Sequence, residues 1–178
     1  MELFQERGYD RTTVGEIAER AGLTERTFFR HFADKREVLF AGSATLQELM
    51  VTAVADAPAA DAPIDAAAAG VEAAGDLIQQ RPDFAHRRQA VIAASAELQE
   101  RELTKLATLS AAMAEALRGR GVAEPAASLT AEVAMAAFRV AVERWHGEAG
   151  ERDLRAVIRE SVDELGAVTA QRGGPGAA

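Results

Sequence analysis

The 178-residue chain contains no cysteine, which excludes disulfides, thiolate nucleophiles and cysteine-ligated metal sites. It also has few aromatic residues, with one Trp, one Tyr and seven Phe, and only five prolines. Ala, Leu, Glu and Arg are abundant instead, and this composition favours an all-α protein over a β-rich one. No apolar run is expected to reach the ~20 residues that span a bilayer, and no signal peptide is recognised. The lack of cysteine suits a reducing cytoplasm.

Residues that carry out catalysis or bind metals are also scarce. The three histidines, His31, His86 and His146, fall in separate segments without the spacing of metal ligands. The chain has neither a phosphate-binding glycine loop nor a Gly-x-Ser-x-Gly elbow. We therefore predict no catalytic site, no metal and no cofactor. An enzyme on a helical scaffold is the alternative, and it would need an acid–base pair with perturbed pKa values in a pocket.

The net charge of −8 is unevenly distributed along the chain. Residues 1–45 hold seven basic and eight acidic side chains and are nearly neutral, so most of the negative charge follows them. Charges further away than ~8–10 Å are screened in physiological salt. A small basic face in the N-terminal part could therefore bind nucleic acid, while the acidic remainder would oppose non-specific binding.

Residues 13–32 have the pattern of two short helices joined by a tight turn. Thr13 and Glu16 have the spacing of a capping box, which predicts a helix start. Gly22 stands where a helix often ends in a residue with positive φ. Leu23 is expected to be buried beneath the turn, and Thr24 is a candidate N-cap for the second helix.

The second helix is predicted to have two unlike faces. At about 100° per residue, Phe28 and Phe32 share one side, whereas Arg26 and Arg30 point nearly opposite. Arginine can grip phosphate or guanine, and a threonine methyl or an aromatic ring can contact a thymine methyl. This pattern indicates a DNA-recognition helix; an ordinary amphipathic helix in a helical domain is the alternative.

Residues 4–40, written FQERGYDRTTVGEIAERAGLTERTFFRHFADKREVLF, closely resemble the DNA-binding domain of the TetR family of bacterial regulators. The resemblance implies an all-helical homodimer in which three N-terminal helices bind double-stranded operator DNA. The larger C-terminal domain would dimerise and bind a small-molecule effector. The first helix is shorter here than in the family, which suggests that the natural protein begins earlier. The DNA-contacting residues implied by the resemblance are Thr13, Arg26, Thr27, Phe29, Arg30, His31 and Lys35.

We predict a DNA-binding domain over residues 1–45, a ligand-binding and dimerisation domain over residues 46–170, and a flexible tail over residues 171–178. A loop is expected at Asp56–Asp65, with Pro58 and Pro63 as helix breakers. Apolar residues at helical spacing predict helices over Arg36–Ala55, Ala66–Gln80, Phe84–Gln99, Glu100–Gly119, Ser128–His146 and Asp153–Val168.

The helix predicted over Ser128–His146 is apolar on two sides. One stripe includes Leu129 and Val140, and the other includes Phe138 and Trp145. A helix that is apolar on two sides is expected to be buried on two sides, one of which could face a partner chain. Two such helices from each of two chains would form a four-helix bundle. Burial wholly within one subunit is the alternative.

The stretch from Arg81 to Leu98, with Trp145, is similar to the C-terminal domains of actinobacterial regulators of the mycofactocin type. Some of these sense acyl-CoA thioesters, so the resemblance implies an acyl-CoA-like effector. For each candidate the alternative is an ordinary core or surface position. The candidate ligand-binding residues are Arg88, Val91, Ser95, Met113, Phe138 and Trp145.

Together these patterns predict a ligand-responsive repressor that binds a palindromic operator as a homodimer in the bacterial cytoplasm. A helical interaction protein of the same fold that has lost DNA binding is the alternative.

Overall fold

The computed structural model describes residues 1–148 and 152–170, with the backbone alone at residues 169 and 170. The regular structure of this part of the chain consists of ten α-helices, without a β-strand. The all-α fold predicted from composition is therefore confirmed. The helices are α1 Glu2–Arg7, α2 Val14–Arg20, α3 Glu25–His31, α4 Glu37–Phe40, α5 Ser43–Asp56, α6 Pro63–Gln79, α7 Pro82–Ala93, α8 Ala96–Gly119, α9 Ala126–Gly147 and α10 Leu154–Ala170.

The helices form two compact units. The first comprises residues 1–45 and 82–106, and the second comprises residues 46–81 together with the described residues from 107 onward. The first unit thus combines the helix-turn-helix segment with α7 and the first part of α8. Its core consists of Phe4, Tyr9, Leu39, Phe40, Val91, Ile92 and Leu98. The functional division at residue 45 stays a prediction, and the predicted tail at residues 171–178 lies outside the described residues.

The second unit is built around the packing of α6, α9 and α10. Small residues allow close approach: a Cβ added at Gly70 would lie 2.8 Å from a methyl of Val54. Trp145 is fully buried, and its indole N–H donates to the carbonyl of Arg152 at 2.9 Å. The first of these contacts packs α6 against α5, and the second holds the C-terminal end of α9 to the loop before α10.

The structure corrects the single helix predicted over Arg36–Ala55. The segment is divided into α4 and α5 by a turn at Ala41 and Gly42. Glycine destabilises the interior of a helix because it loses more conformational freedom than any other residue when its backbone is fixed. The apolar spacing continues across this turn, so periodicity alone did not reveal it.

Two other predicted boundaries were wrong. Pro63 does not break a helix but occupies the first turn of α6, where its missing N–H needs no partner. The break that we expected between Gln99 and Glu100 lies instead at Ala94 and Ser95. The carbonyl of Ser95 accepts a hydrogen bond from the N–H of Gln99 at 3.0 Å, which is the first bond of α8. Ser95 therefore stands at the N-cap position, where serine is one of the preferred residues.

The segment Glu37–Asp56 is long and apolar enough to cross a membrane by length and composition, with a hydropathy of 1.5. This corrects our expectation that no apolar run approaches the length of a membrane span. Core helices pass the same test, and a turn divides this segment into α4 and α5. Length and composition therefore assign no membrane role to it.

The two apolar stripes predicted for α9 have different environments. Met135, Phe138 and Trp145 are buried within the subunit. On the other stripe, Leu129 is 61% exposed and Val140 is 48% exposed. The stripe with Phe138 and Trp145 thus contributes to the core of the second unit. The stripe with Leu129 and Val140 presents apolar side chains to solvent.

Candidate nucleic-acid interface

Helix α2 begins with the predicted capping box. The hydroxyl of Thr13 accepts from the backbone N–H of Glu16, and the Glu16 carboxylate accepts at 2.9 Å from the backbone N–H of Thr13. The backbone N–H and the hydroxyl of Thr13 both donate to the Glu16 carboxylate, and together with the nearby Arg7 guanidinium they lower the pKa of Glu16. The backbone N–H and the hydroxyl of Thr13 are therefore hydrogen-bonded at the start of α2. The phosphate contact predicted for Thr13 would be made with the residue held in this position.

The turn between α2 and α3 has the predicted backbone conformation. Gly22 has a φ of +69°, in the left-handed region that glycine adopts without strain. Leu23 continues the turn, and its N–H donates to the carbonyl of Ala18 at 2.8 Å. The expected burial of the Leu23 side chain was wrong, because it is 47% exposed. The backbone bond, rather than an apolar contact, closes this turn.

Helix α3 is anchored by a cap and by one aromatic side chain. The hydroxyl of Thr24 accepts from the backbone N–H of Thr27 at 3.2 Å, so the predicted N-cap is confirmed. Phe28 is only 3% exposed, and its ring centroid lies 5.2 Å from that of Phe32. A capped helix held by Phe28 has a defined rotation about its axis, which determines the side chains that it presents to solvent.

The opposite face of α3 is exposed. Arg26 and Arg30 are exposed, and neither pairs with a carboxylate within the described residues. Phe29 is 54% exposed, which is unusual for a phenylalanine. His31 lies 3.4 Å from the guanidinium of Arg30 through its Nε2. This face therefore offers two unneutralised cations and an aromatic ring on one short helix.

Three other arginines of the first unit pair with carboxylates. Arg20 pairs with Glu2 at 3.0 Å, Arg7 pairs with Glu16, and Arg36 pairs with Asp34 at 2.5 Å. Arg11 is exposed and donates to the carbonyl of Arg7. The exposed face of α3 thus carries two cations that pair with no carboxylate of the described residues, although residues 1–45 as a whole are nearly neutral. Thr27, predicted to contact a base, is partly buried, and its hydroxyl lies 3.1 Å from that of Thr24.

Lys35 is bound to the loop that precedes α2. Its ammonium donates to the carbonyls of Tyr9 at 2.8 Å, Thr12 at 3.1 Å and Asp10 at 3.3 Å. It also lies 4.2 Å from the centroid of the Tyr9 ring. All three ammonium hydrogens therefore have acceptors, and Lys35 joins the start of α4 to the loop before α2. The sequence did not indicate this role, since nothing in it pairs residue 35 with residues 9–12.

Comparison with known proteins assigns this geometry to a family. The family of "Bacterial regulatory proteins, tetR family" matches residues 1–41, and the "MftR C-terminal domain" matches residues 61–170. The chain belongs to the TetR family of bacterial regulatory proteins. Its TetR-type helix-turn-helix corresponds to α2 and α3, so the predicted family and the DNA-binding motif are confirmed.

One curated relative is the HTH-type transcriptional regulator TcmR of Streptomyces glaucescens, which is 42% identical over 66 residues. That match spans 37% of this chain and 29% of TcmR. Among solved structures, the fatty acid degradation regulator FadR of Bacillus halodurans has a TM-score of 0.61 at 20% identity, covering 98% of this chain and 95% of that one. Thermus thermophilus FadR, solved in complex with lauroyl-CoA, has a TM-score of 0.59 at 21% identity, covering 100% and 92%. These likenesses show a TetR-type fold.

The predicted ligand-binding residues are divided between the two units of this TetR-family protein. Arg88, Val91 and Ser95 belong to the first unit, on α7 or directly after it. Val91 and Ser95 line a groove of about 610 Å³ together with residues of α1 and the loop after it, including Arg7 and Arg11. Arg88 is not among the residues that line this groove.

The other three candidates belong to the second unit. Met113 and Trp145 are fully buried, and Phe138 is 5% exposed. Within their unit these side chains form part of the core. Their predicted contact with an effector stays a prediction.

Sequence reasoning missed a group of charged residues on α8. Glu97 pairs with Arg36 at 3.1 Å, Arg101 bonds to Glu37 at 3.4 Å, and Lys105 pairs with a carboxylate of its own helix. Residues 97, 101 and 105 are four apart, so they share one face of a helix. That spacing was a signal in the sequence, although the partners of Glu97 and Arg101 come from a distant part of the chain.

Proposed function

We propose that this TetR-family protein is a ligand-responsive repressor that binds a palindromic operator as a homodimer in the bacterial cytoplasm, associated with the nucleoid when bound to DNA. The observation that carries the proposal is the exposed face of the capped helix α3. Phe29 is exposed there, and neither Arg26 nor Arg30 pairs with a carboxylate of the residues that the structure describes. A helix of this kind fits the major groove, where arginine binds guanine or phosphate.

We propose the individual contacts as follows, supported by the exposure of Arg26, Phe29 and Arg30. Arg26, Thr27, Phe29 and Arg30 would contact bases and backbone, with His31 beside them. Thr13, at the N-terminus of α2, would lie against a phosphate and set the register. Lys35 already directs its three hydrogens to carbonyls, so its attraction to a phosphate would be that of a fixed charge.

Dimerisation is supported by the exposed apolar side chains of the second unit. Leu129 and Val140 of α9 and Val168 of α10 are 48–66% exposed. Burying such side chains contributes about 25 cal/mol per Å² of apolar surface. Two copies that pair through α9 and α10 would form a four-helix bundle. The twofold axis would then place two copies of α3 about one DNA turn apart, ~34–36 Å, and favour a palindromic site.

The dimer is tested by changing the exposed stripe rather than the buried one. Val140→Glu is expected to convert a dimer into a monomer in light scattering, because it places a charge in the contact. Phe138→Asp is unsuitable, since Phe138 is buried within the subunit and its replacement would unfold it. Leu49→Glu, which places the same charge on an exposed apolar side chain of α5, serves as the control. A dimeric Val140→Glu variant would contradict the proposed surface.

The effector is proposed to be an acyl-CoA-like molecule. Support comes from the match to the MftR-type C-terminal domain and from the structural likeness to a FadR that was solved with lauroyl-CoA. A ligand that prefers a conformer with the two α3 helices wrongly spaced would weaken DNA binding by the ratio of its affinities for the two conformers.

DNA binding is tested by selecting duplexes from a random pool with the full chain. We expect enrichment of a site with twofold symmetry, and release of that site on addition of lauroyl-CoA. The variant with Arg26 and Arg30 both replaced by Met is the control, and it should enrich no sequence. A wild-type dimer that enriches no duplex would instead favour an interaction protein of the same fold.

A further inference from the structure

A cluster of charged side chains is largely enclosed within the first unit. The guanidinium of Arg88 on α7 and the ammonium of Lys105 on α8 both bond at 2.6 Å to the carboxylate of Glu102. The three side chains are 17%, 11% and 19% exposed. The Glu102 carboxylate thus pairs with two cations at a place that is largely shielded from water.

The cluster has more positive charge than negative charge. Adding the Arg101–Glu37 pair, the group contains three cations and two carboxylates. Of the three ammonium hydrogens of Lys105, one has an acceptor within the described residues. An enclosed cation with unused donors is costly unless an anion compensates it. The cluster therefore has both the charge and the donors to accept a further anionic group.

The titration behaviour of the cluster agrees with this charge excess. Burial and then the charge of Arg88 lower the pKa of Lys105. Burial by itself would raise the pKa of Glu102, but Lys105 and Arg88 outweigh it, and the pKa is lowered. Both shifts are expected where two cations share one carboxylate.

The same cations hold α4. The Nε of Arg88 donates to the carbonyl of Leu39 at 2.8 Å, and Arg101 bonds to Glu37. The guanidinium groups of Arg88 and Arg101 each lie 4.9 Å from the centroid of the Phe40 ring. α4 follows α3 after a connection of five residues, 32–36. A change in the position of Arg88 would therefore alter the contacts of α4, which only five residues separate from the recognition helix α3.

We propose that Arg88 and Lys105 form a binding site for the anionic group of an amphiphilic effector, and that its binding draws Arg88 away from Leu39 and so loosens α4. This inference rests on the proposed function, since it supplies the site at which the effector acts. The cluster itself selects a carboxylate or a phosphate, and the apolar chain of the ligand is taken from the proposed effector. A fatty acid and an acyl-CoA both carry such a group, and the test distinguishes them.

The test measures binding to the full chain by calorimetry with three probes: laurate, lauroyl-CoA and dodecanol, the uncharged counterpart of laurate. The wild type is expected to bind at least one of the anionic probes about tenfold more tightly than dodecanol, the effect of one charge-assisted hydrogen bond. Tighter binding of laurate would indicate a carboxylate in the site, and binding of lauroyl-CoA alone would indicate phosphate.

Three variants separate a binding site from a structural role. Lys105→Met keeps the length of the side chain and should remove about tenfold of the preference for the anion. Glu102→Gln removes the competing carboxylate and should strengthen anion binding, which a purely structural role would not do. Arg118→Met removes an equal charge from an exposed side chain of the second unit and should bind like the wild type.

A direct readout comes from the two lysines of the chain, Lys35 and Lys105. With ¹³C-labelled lysine, NMR should show two side-chain Cε signals, and the anionic probe should shift the signal that is absent from Lys105→Met. A wild type without a charge preference, or a Lys105→Met variant that binds the anion as tightly as the wild type, would overturn the site. Failure to bind any duplex would overturn the proposed function instead, and the calorimetry would still decide the anion site.

Discussion

Replacing Lys35 with Met tests whether this lysine supports the DNA-binding segment. The change keeps the aliphatic length of the side chain and removes the ammonium. Three backbone carbonyls, those of Tyr9, Asp10 and Thr12, then lose their donor. The loop before α2 also loses its connection to the residues that follow α3. We expect the first unit to be less stable as a result.

The magnitude follows from the contacts of the ammonium. A hydrogen bond from a charged donor contributes about 1.5–3 kcal/mol, and a cation near an aromatic ring adds about 0.5–1 kcal/mol. The full sum is not expected, because Lys35 is partly exposed and the carbonyls that it releases can bond to water. We expect a net loss of about 2–3 kcal/mol, which lowers the Tm of a chain of this length by about 4–12 °C.

The assay is thermal unfolding followed by far-UV circular dichroism, with Arg11→Met as the matched control. Arg11 lies in the same loop and has the same charge, but its side chain is exposed and donates one bond, from Nε to the carbonyl of Arg7 at 2.7 Å. The control should lose less than about 1 kcal/mol. A Lys35→Met variant that melts within about 1 °C of the wild type would refute the assigned role.

The same variant shows whether Lys35 also attracts a phosphate. If it does, the dependence of log K on log salt should flatten by about 0.9 unit, and affinity should fall equally for all DNA sequences. If Lys35 only holds the loop, affinity falls while the salt slope is unchanged.

Three further predictions concern packing and charge. Gly70→Ala should destabilise the protein by about 1–2 kcal/mol in urea unfolding, because the added methyl would lie 2.8 Å from Val54 and 3.1 Å from a backbone oxygen; an unchanged midpoint would contradict the tight packing there. Gly15→Ala should be neutral or stabilise by up to about 1 kcal/mol, since the added methyl meets the flexible end of Glu25 at 2.6 Å; a large loss would show that Glu25 cannot move. The pKa of Glu102 is lower in the folded than in the unfolded protein. The ionised carboxylate therefore stabilises the fold at a pH above the unfolded-state pKa, and this stabilisation is lost as the pH falls through the folded-state pKa. The Tm difference between the wild type and Glu102→Gln should therefore shrink as pH is lowered from 6 towards 3, and a constant difference would contradict this account.

Much of the helix-turn-helix could be predicted from the sequence because its signals are local. The capping box at Thr13, the positive φ at Gly22 and the N-cap at Thr24 each depend on residues within three positions. The inward orientation of Phe28 and the exposure of Arg26 follow from the helical period once the helix is fixed.

The features that could not be predicted depend on residues far apart in the chain. Lys35 bonds to carbonyls more than twenty residues earlier, and Arg88 bonds to the carbonyl of Leu39. Backbone carbonyls leave no trace in the sequence, so side chains that bind them look like ordinary surface charges. The exposure of Leu23 was missed for a related reason, since a backbone bond closes its turn.

The most direct test of the central claim is the affinity of the protein for the duplex selected from the random pool, measured by fluorescence anisotropy, as Arg26 and Arg30 are each replaced by Met. If the exposed face of α3 reads the major groove, each variant should lose about 1–3 kcal/mol of binding free energy, five- to 150-fold in Kd, while the far-UV circular dichroism and Tm stay unchanged. Operator binding as tight as that of the wild type in both folded variants would contradict the assignment of α3 as the recognition helix.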